Sequence, residues 1–212
     1  MRRIGLILSF TAAAALLILT FAVGNSASLP AVITAAVFAV LLFSYFYFEK
    51  NGMGVKEIAL IATLSAFSAA ARVLFAPLPN IKPTTFLVAL SGYVFGPYEG
   101  FLIGGTGAFI SNIFLGQGAW TPWQMLSWGI VGLISGVLGR GKGKMPALTF
   151  STICFLYGFL FDWIMNLWHV LGFIRPITAK SIALAYAAGF TFDIMHACGN
   201  FVFSIVFYNG FY

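Results

Sequence analysis

The chain has 212 residues, of which 61% are hydrophobic and only 8% are charged. A soluble domain carries about 25% charged residues, so this composition excludes a water-soluble protein. The formal net charge of +6 does not indicate a nucleic-acid partner, because the Lys and Arg residues lie mostly between apolar runs and form no continuous basic surface.

Eight apolar runs, separated by short polar breaks, predict eight helices in contact with membrane lipid. The runs cover residues 4–23, 30–48, 56–76, 84–96, 99–115, 122–139, 146–170 and 180–208. A helix needs roughly 20 apolar residues to cross a bilayer core of about 30 Å, which leaves no room for a soluble domain. The predicted fold class is therefore all-α, a polytopic transmembrane helical bundle. Runs four and five are short, so they either tilt or form a hairpin that does not fully cross.

The first run follows Arg2 and Arg3 and could be taken for a cleavable signal peptide. The stretch 4–23 is longer than the apolar region of such a peptide, and a second apolar run follows after a few polar residues. We therefore expect a retained helix that forms an ordinary hairpin with the second run.

The basic residues predict the orientation in the membrane. With the amino terminus inside, the inner segments hold Arg2, Arg3, Lys50, Lys56, Arg140, Lys142 and Lys144, and the outer segments hold Lys82, Arg175 and Lys180. This bias predicts that both termini are cytoplasmic. Arg72 is left over near the outer end of run three, where it is expected to snorkel or to point into a polar cavity.

Polar side chains within the helices are confined to the later part of the chain. Residues 56–212 carry every Asp, His, Asn and Gln that falls inside an apolar run. This distribution predicts a two-helix extension, residues 1–54, and a six-helix functional core, residues 55–212. The extension is expected to be an anchor or a lipid-facing flank.

Small side chains recur every four residues on run three, at Ala62, Ala66 and Ala70. Such spacing lets another helix approach closely and predicts an interaction face. The spacing alone fits an internal helix or another subunit.

A loop with three prolines follows, at Pro77, Pro79 and Pro83. Prolines stiffen a loop and prevent helix continuation. The loop is a simple connector, or it presents polar contacts to a ligand through Asn80, Lys82 and Thr84.

Aromatic and amide side chains concentrate around the next outer loop. They are Asn112, Gln117, Trp120, Trp123, Gln124 and Trp128. Tryptophans at a membrane boundary commonly form an interfacial belt, whereas this mixture with amides also suits the stacking and hydrogen bonding of a planar ligand.

Two polar stripes lie on the last two runs. Asp162, Asn166 and His169 are spaced i, i+4 and i+7, and Asp193, His196 and Asn200 are spaced i, i+3 and i+7. Each trio shares a helix face. A carboxylate facing lipid is costly, so both stripes are expected to face inward. They either form an internal ion-pair network or line a binding cavity.

The stretch from Ala62 to Arg140 contains ARVLFAPLPNIKPTTFLVALSGYVFGP and NIFLGQGAWTPWQMLSWGIVGLISGVLGR. These segments closely resemble the membrane substrate-specific (S) components of energy-coupling factor (ECF) transporters, and the resemblance covers roughly residues 56–212. It implies a six-helix core with one substrate bound near the extracellular side. The substrate would lie against the loops Pro77–Pro83, Gly116–Thr121 and Gly172–Lys180, which includes Arg175, and against the later helices.

The resemblance also implies partners. The alanines at 62, 66 and 70 match a motif that docks S components onto a transmembrane scaffold subunit driven by two cytosolic ATPases. The resemblance further implies that ATP is hydrolysed by these partners, and the chain itself has no GxxxxGK[ST] phosphate loop. We therefore expect no enzyme, and we also expect no cofactor and no metal. A bacterial plasma membrane is the expected location.

The sequence looks most like the cobalamin or corrinoid branch of this family, so cobalamin is the expected substrate. Queuosine-type nucleosides, pantothenate and other small vitamins stay open as alternatives. Outside the class, the intramembrane Asp and His residues would also suit a proton-coupled carrier. An intramembrane aspartyl protease is disfavoured, because neither Asp162 nor Asp193 lies in a GxGD context.

Overall fold

The computed structural model describes residues 29–50 and 54–212. This part folds into seven α-helices and contains no strand. They are α1 (Leu29–Lys50), α2 (Val55–Leu74), α3 (Thr84–Phe95), α4 (Pro97–Leu115), α5 (Thr121–Gly139), α6 (Ala147–Phe173) and α7 (Ala179–Phe211). The predicted all-helical bundle is confirmed, and each helix ends within about three residues of its predicted bounds. The first predicted run, 4–23, lies outside the described residues.

Three of the described helices, α2, α6 and α7, are long and apolar enough to cross a membrane. In contrast, α3 has 12 residues and rises only about 18 Å, which is less than a bilayer core. Gly96 separates α3 from α4 with a φ of 125°, a conformation that glycine adopts without a steric penalty. Pro97 then begins α4, where its missing N–H costs no helical hydrogen bond. The two short runs thus form a sharp hairpin.

Glycine-mediated packing joins α3, α4 and α5 at the centre of the bundle. A Cβ atom added at Gly132 of α5 would collide with the backbone of Gly100 on α4, and one added at Gly92 of α3 would collide with Gly132. Small residues let transmembrane helices approach until their backbones touch, which maximises van der Waals contact where lipid supplies no hydrophobic driving force. This contact fixes the centre against which the remaining helices pack.

Helix α1 packs on the bundle through a buried apolar face. Ile33, Val37 and Leu41 are buried in a cluster that also contains Phe101 of α4 and Leu126 of α5. The α1 helix therefore covers part of the core, and its exposed face includes large apolar side chains.

Three polar contacts add to this packing of α1. The Tyr45 hydroxyl lies 2.7 Å from Thr106 Oγ1, and the Tyr98 hydroxyl donates to the Ser44 carbonyl at 2.9 Å. A longer bond of 3.4 Å runs from Trp123 Nε1 to Thr34 Oγ1. The division into a two-helix extension and a six-helix core stays a prediction.

We predict that Gly132→Leu lowers the free energy of unfolding by about 3 kcal/mol, because the new side chain must push α4 away from α5. Thermal unfolding of the purified protein in detergent measures this. Gly210→Ala on α7 is the control, since nothing lies within 4 Å of the added Cβ, and alanine favours a helix. Equal midpoints for wild type and Gly132→Leu would contradict the packing account.

Candidate functional site

Polar side chains from five helices meet at one level of the bundle. Arg72 on α2, Asn112 on α4, Gln124 on α5, Asp162 on α6 and His196 on α7 each lie 15 to 17 residues from the helix end nearest the predicted inner side. At 1.5 Å per residue this is about 22 to 26 Å along each helix. The level lies in the predicted outer half of the bundle, and α6 and α7 continue beyond it.

Arg72 is the centre of the hydrogen bonds between α2, α4 and α5. Its Nη1 donates to Ser111 Oγ and to Asn112 Oδ1, each at 2.6 Å, and its Nη2 donates to Gln124 Oε1 at 3.3 Å. The guanidinium carbon also lies 4.7 Å from the centroid of the Trp128 ring. A buried cation is held here by neutral acceptors and a ring face, and its hydrogen bonds go to neither Asp162 nor Asp193.

Further hydrogen bonds connect Asn112 to the loop between α4 and α5. Asn112 Nδ2 donates to Thr121 Oγ1 at 3.1 Å and to Gln124 Oε1 at 2.8 Å. Thr121 Oγ1 in turn donates to Gln117 Oε1 at 2.8 Å, and Gln117 Nε2 donates to the Phe109 carbonyl at 3.0 Å. These bonds attach the loop between α4 and α5 to both of its helices.

A second chain of bonds links α5 to α7 and α6. Trp128 Nε1 donates to Thr85 Oγ1 at 2.9 Å, and Thr85 Oγ1 lies 2.9 Å from His196 Nε2. His196 Nδ1 lies 2.8 Å from Asp162 Oδ2. Trp128 also stacks on Phe161 at 4.1 Å between centroids, and its side chain is buried. The indole is enclosed by the protein.

Asn80 attaches the proline-rich loop to the last two helices. Its Nδ2 donates to Asp162 Oδ2 at 3.2 Å and to the Phe192 carbonyl at 2.9 Å. Its φ is 52°, a left-handed conformation that Asn tolerates better than most residues. The second carboxylate, Asp193, accepts from Asn166 Nδ2 at 3.3 and 3.4 Å. Both aspartates therefore have partners of their own.

Lys82 lies half-buried on the same loop, and its Nζ donates to the Leu78 carbonyl at 3.4 Å. Burial lowers its pKa below the ordinary value, and so does the positive charge of Arg72, whereas Asp162 opposes the shift. The loop between α2 and α3 therefore carries a cation whose charge is disfavoured by its surroundings.

The structure places the other predicted site residues in three settings. Thr84 and Asn200 are buried close to the network, with side-chain atoms that have no hydrogen-bond partner among the described residues. Trp123 is buried but points toward α1. Three exposed side chains lie away from the network: Trp120, His169 and Arg175. Trp120 packs on Trp168, and His169 stacks on Phe173. Arg175 donates to the backbone carbonyls of Leu171 and Ile174.

The predicted site residues do not include two hydroxyls that the structure brings into the network, those of Thr85 and Ser111. Thr121 enters the prediction only as the end of the substrate loop Gly116–Thr121. Thr85 and Ser111 each adjoin a residue that was singled out, but hydroxyls are common in transmembrane helices and carry no distinctive spacing. Arg72 was noticed as a leftover cation, without a partner that the sequence could name.

A separate apolar groove of about 470 Å³ lies between α2, α3 and α7. Its lining is aliphatic and aromatic, and includes Phe67, Ala70, Leu74, Phe203 and Phe207. With no polar side chain in its lining, the groove offers no hydrogen-bonding groups for the orientation of a polar ligand.

The order hydroxyl, imidazole and carboxylate in Thr85, His196 and Asp162 is the order that hydrolases use. Here the Thr85 hydroxyl is fully buried and already accepts the Trp128 N–H. A nucleophile must reach a substrate carbonyl next to donors that stabilise an oxyanion. An enclosed hydroxyl within an apolar bundle suits a structural role. The described residues also contain no group of three or more His, Cys, Asp or Glu that could hold a metal ion.

A family described as ECF-type riboflavin transporter, S component, matches residues 52–211. The chain belongs to this family. An S component is a part of a transporter and not itself an enzyme, and the described apolar helices agree with a membrane protein. The predicted resemblance to ECF S components is confirmed, whereas its finer assignment to the cobalamin branch is not supported, since the family description names riboflavin.

Similar curated proteins are UPF0397 proteins of Aliivibrio and Vibrio species. One from Aliivibrio fischeri (strain MJ11) is 32% identical over 135 residues, which cover 61% of this chain and 70% of the relative. One from Vibrio atlanticus is 40% identical over 78 residues, which cover 34% of this chain and 42% of the relative, less than half of its length. No solved structure matches the chain.

We predict that Arg72→Met lowers the free energy of unfolding of this S component by about 2–3 kcal/mol, because Ser111, Asn112 and Gln124 lose a charged donor. Chemical denaturation followed by tryptophan fluorescence measures this. Arg175→Met removes an exposed arginine and should change stability by no more than about 0.5 kcal/mol. If the two variants are equally stable, the guanidinium does not hold α2, α4 and α5 together.

Proposed function

We propose that this protein captures riboflavin on the outer side of the membrane and delivers it inward with an ECF energising module. The family description supports riboflavin as the substrate. One observation of the fold carries the proposal: buried polar side chains lie at one level of an apolar bundle, in its predicted outer half. Polar groups in a lipid-embedded core are costly, so a set contributed by five helices indicates a binding function.

The arrangement of the tryptophan side chains favours a flavin over a corrinoid as the substrate. A corrinoid is wide and flat. The sequence predicts cobalamin because it looks most like the corrinoid branch, and because the Trp and Gln side chains around residues 117–128 could cover such a ring. In the fold these indoles diverge: Trp123 bonds to α1, Trp128 is enclosed, and Trp120 packs on Trp168. They form no common platform. An isoalloxazine ring is narrower and has a polar edge that suits a site of amides and hydroxyls.

The loop 75–83 is the proposed cover of the substrate. Asn80 holds this loop to Asp162 on α6 and to the Phe192 carbonyl on α7. The loop also packs on α7 through Phe75, whose ring lies 5.1 Å from that of Phe203, and through Ile81 at Gly199. None of these contacts involves the glycine-packed centre, so the loop could open without disturbing it. Binding and release would then depend on this loop.

The orientation that we propose places both termini in the cytoplasm. Arg140, Lys142 and Lys144 all lie between α5 and α6, and cytoplasmic loops carry an excess of such residues. The relatives from Aliivibrio and Vibrio support a bacterial plasma membrane as the location.

The docking face for the ECF scaffold is proposed on α2. Ala62, Ala66 and Ala70 are all exposed, whereas Ser65 and Arg72 on the same helix are buried. This pattern supports a smooth outer face that a helix of a partner subunit can approach closely. ATP would be hydrolysed by partner subunits, since this chain has no phosphate loop.

A proton-coupled carrier is the alternative function. The observation that favours it is the His196–Asp162 pair inside the bundle, because such pairs serve as proton relays in carriers. Riboflavin uptake into cells that lack the ECF ATPases distinguishes the two. Uptake that persists there and follows the proton gradient would favour the carrier, whereas uptake that disappears would favour the S component.

We predict that the purified chain, without any partner, binds riboflavin in a one-to-one ratio. Isothermal titration in detergent with riboflavin, cobalamin, queuosine and pantothenate measures this, with each compound titrated into buffer as a control. Tight binding of cobalamin, and of no other compound, would show that cobalamin is the substrate and would leave the assignment as an S component unchanged. Binding of none of the four compounds would contradict the proposal that the chain is a substrate-binding subunit.

We predict that Ala66→Trp leaves riboflavin affinity within about twofold of wild type but abolishes uptake in cells, because a bulky side chain blocks close helix approach. Ala187→Trp is the matched control, since Ala187 is an exposed alanine on α7, and it should transport normally. Equal loss of binding and uptake in Ala66→Trp would mean that α2 has no separate docking face.

A further inference from the structure

The hydrogen bonds of the site divide its residues into two groups. Most side chains of the network bond to one another and hold the helices together, as His196 does with Thr85 and Asp162. Others are buried with unused hydrogen-bonding atoms, namely Arg72 Nε, Thr84 Oγ1 and both side-chain atoms of Asn200. A buried donor or acceptor without a partner is costly, so unused atoms beside a binding site are the ones available to a ligand.

Asn200 has the largest unused capacity of the three. Its side chain is fully buried, and neither its Oδ1 nor its Nδ2 has a partner among the described residues. It lies four residues after His196 on α7, so the two side chains share a helix face. The amide therefore adjoins the network without being part of it.

The proline-rich loop lies over this part of α7. A Cβ atom added at Gly199, the residue before Asn200, would meet Ile81 Cγ2 at 3.1 Å. Ile81 follows Asn80 in the loop that the two Asn80 bonds attach to α6 and α7. Release of those bonds would lift Ile81 from α7 and give a ligand a way to the Asn200 amide.

The chemistry of a free primary amide identifies the group that it would recognise. One N–H donor and one carbonyl acceptor, side by side, match a cis-lactam or imide edge, in which an N–H adjoins a C=O. The isoalloxazine of riboflavin has such an edge at N3 and its neighbouring carbonyls. We propose that Asn200 is a specificity-determining residue that binds this imide edge by a pair of hydrogen bonds, an inference that rests on the proposed function.

The inference predicts opposite effects of one substitution on stability and on binding. Asn200→Leu replaces the amide with an apolar side chain of similar volume and removes two unpaired buried atoms. Without ligand, its thermal midpoint should rise by about 2–4 °C, whereas its riboflavin affinity should fall by about tenfold or more. Asn166→Leu is the matched control, because the Asn166 amide is bonded to Asp193, and its midpoint should fall.

A ligand change tests the same contact without altering the fold. Riboflavin methylated at N3 cannot donate from the imide, so wild-type affinity for it should fall by about tenfold or more. In Asn200→Leu the methylated and unmethylated ligands should bind about equally, since the partner of N3 is already gone. The comparison needs only the wild type if the variant does not fold.

Two outcomes would overturn the role of Asn200: wild-type protein that binds both ligands equally, or an Asn200→Leu variant that binds riboflavin as wild type does. A lower midpoint for Asn200→Leu without ligand would show that the amide is paired in the free protein, and would also count against the inference. Failure of the proposed function has a different signature, because wild-type protein would then bind neither flavin.

Discussion

A polar side chain inside a lipid-embedded bundle has no bulk water to bind, so it must find partners within the protein or in a ligand. Arg72 is where this constraint is strongest. Its guanidinium bonds to Ser111, Asn112 and Gln124 and lies over Trp128. Trp128 in turn is connected by hydrogen bonds through Thr85 and His196 to Asp162, which accepts from Asn80 of the loop 75–83. The network that contains this cation thus joins side chains from six helices, α2 to α7, and its bonds determine which polar atoms stay unpaired and available to a ligand.

The frame that holds this level in place is the glycine-packed centre of α3, α4 and α5. The backbone contact at Gly132 fixes the position of α5. It therefore restricts the movement of Trp128 and Gln124, which lie one and two turns before Gly132 on the same helix. Binding can therefore be confined to the loop 75–83 and the α6–α7 pair, whose outer parts extend beyond the packed centre. A rigid centre with a movable cover suits a protein that must hold a small molecule and later release it.

The sequence predicts the helices closely, because apolar runs between polar breaks follow directly from the cost of exposing backbone and charge to lipid. It also predicts that Asp162, Asp193 and His196 face inward, for the same reason. It could not predict that Trp123 turns to α1 or that His169 lies outside the network, since one helical face spans a wide arc and the neighbouring helix decides what is covered. The hydroxyls of Thr85 and Ser111 were missed because only contacts across helices reveal them. The unpaired atoms of Asn200, on which the proposed recognition of the substrate depends, follow from no spacing pattern.

The central claim is that riboflavin binds at the polar level beneath the loop 75–83. A structure of the chain determined with riboflavin bound tests this most directly. The account predicts an isoalloxazine between that loop and the α6–α7 pair, with its imide edge on Asn200 and with the Arg72 bonds to α4 and α5 retained. A flavin in the apolar groove between α2 and α7, or on the outer surface with the polar level unchanged, would contradict it.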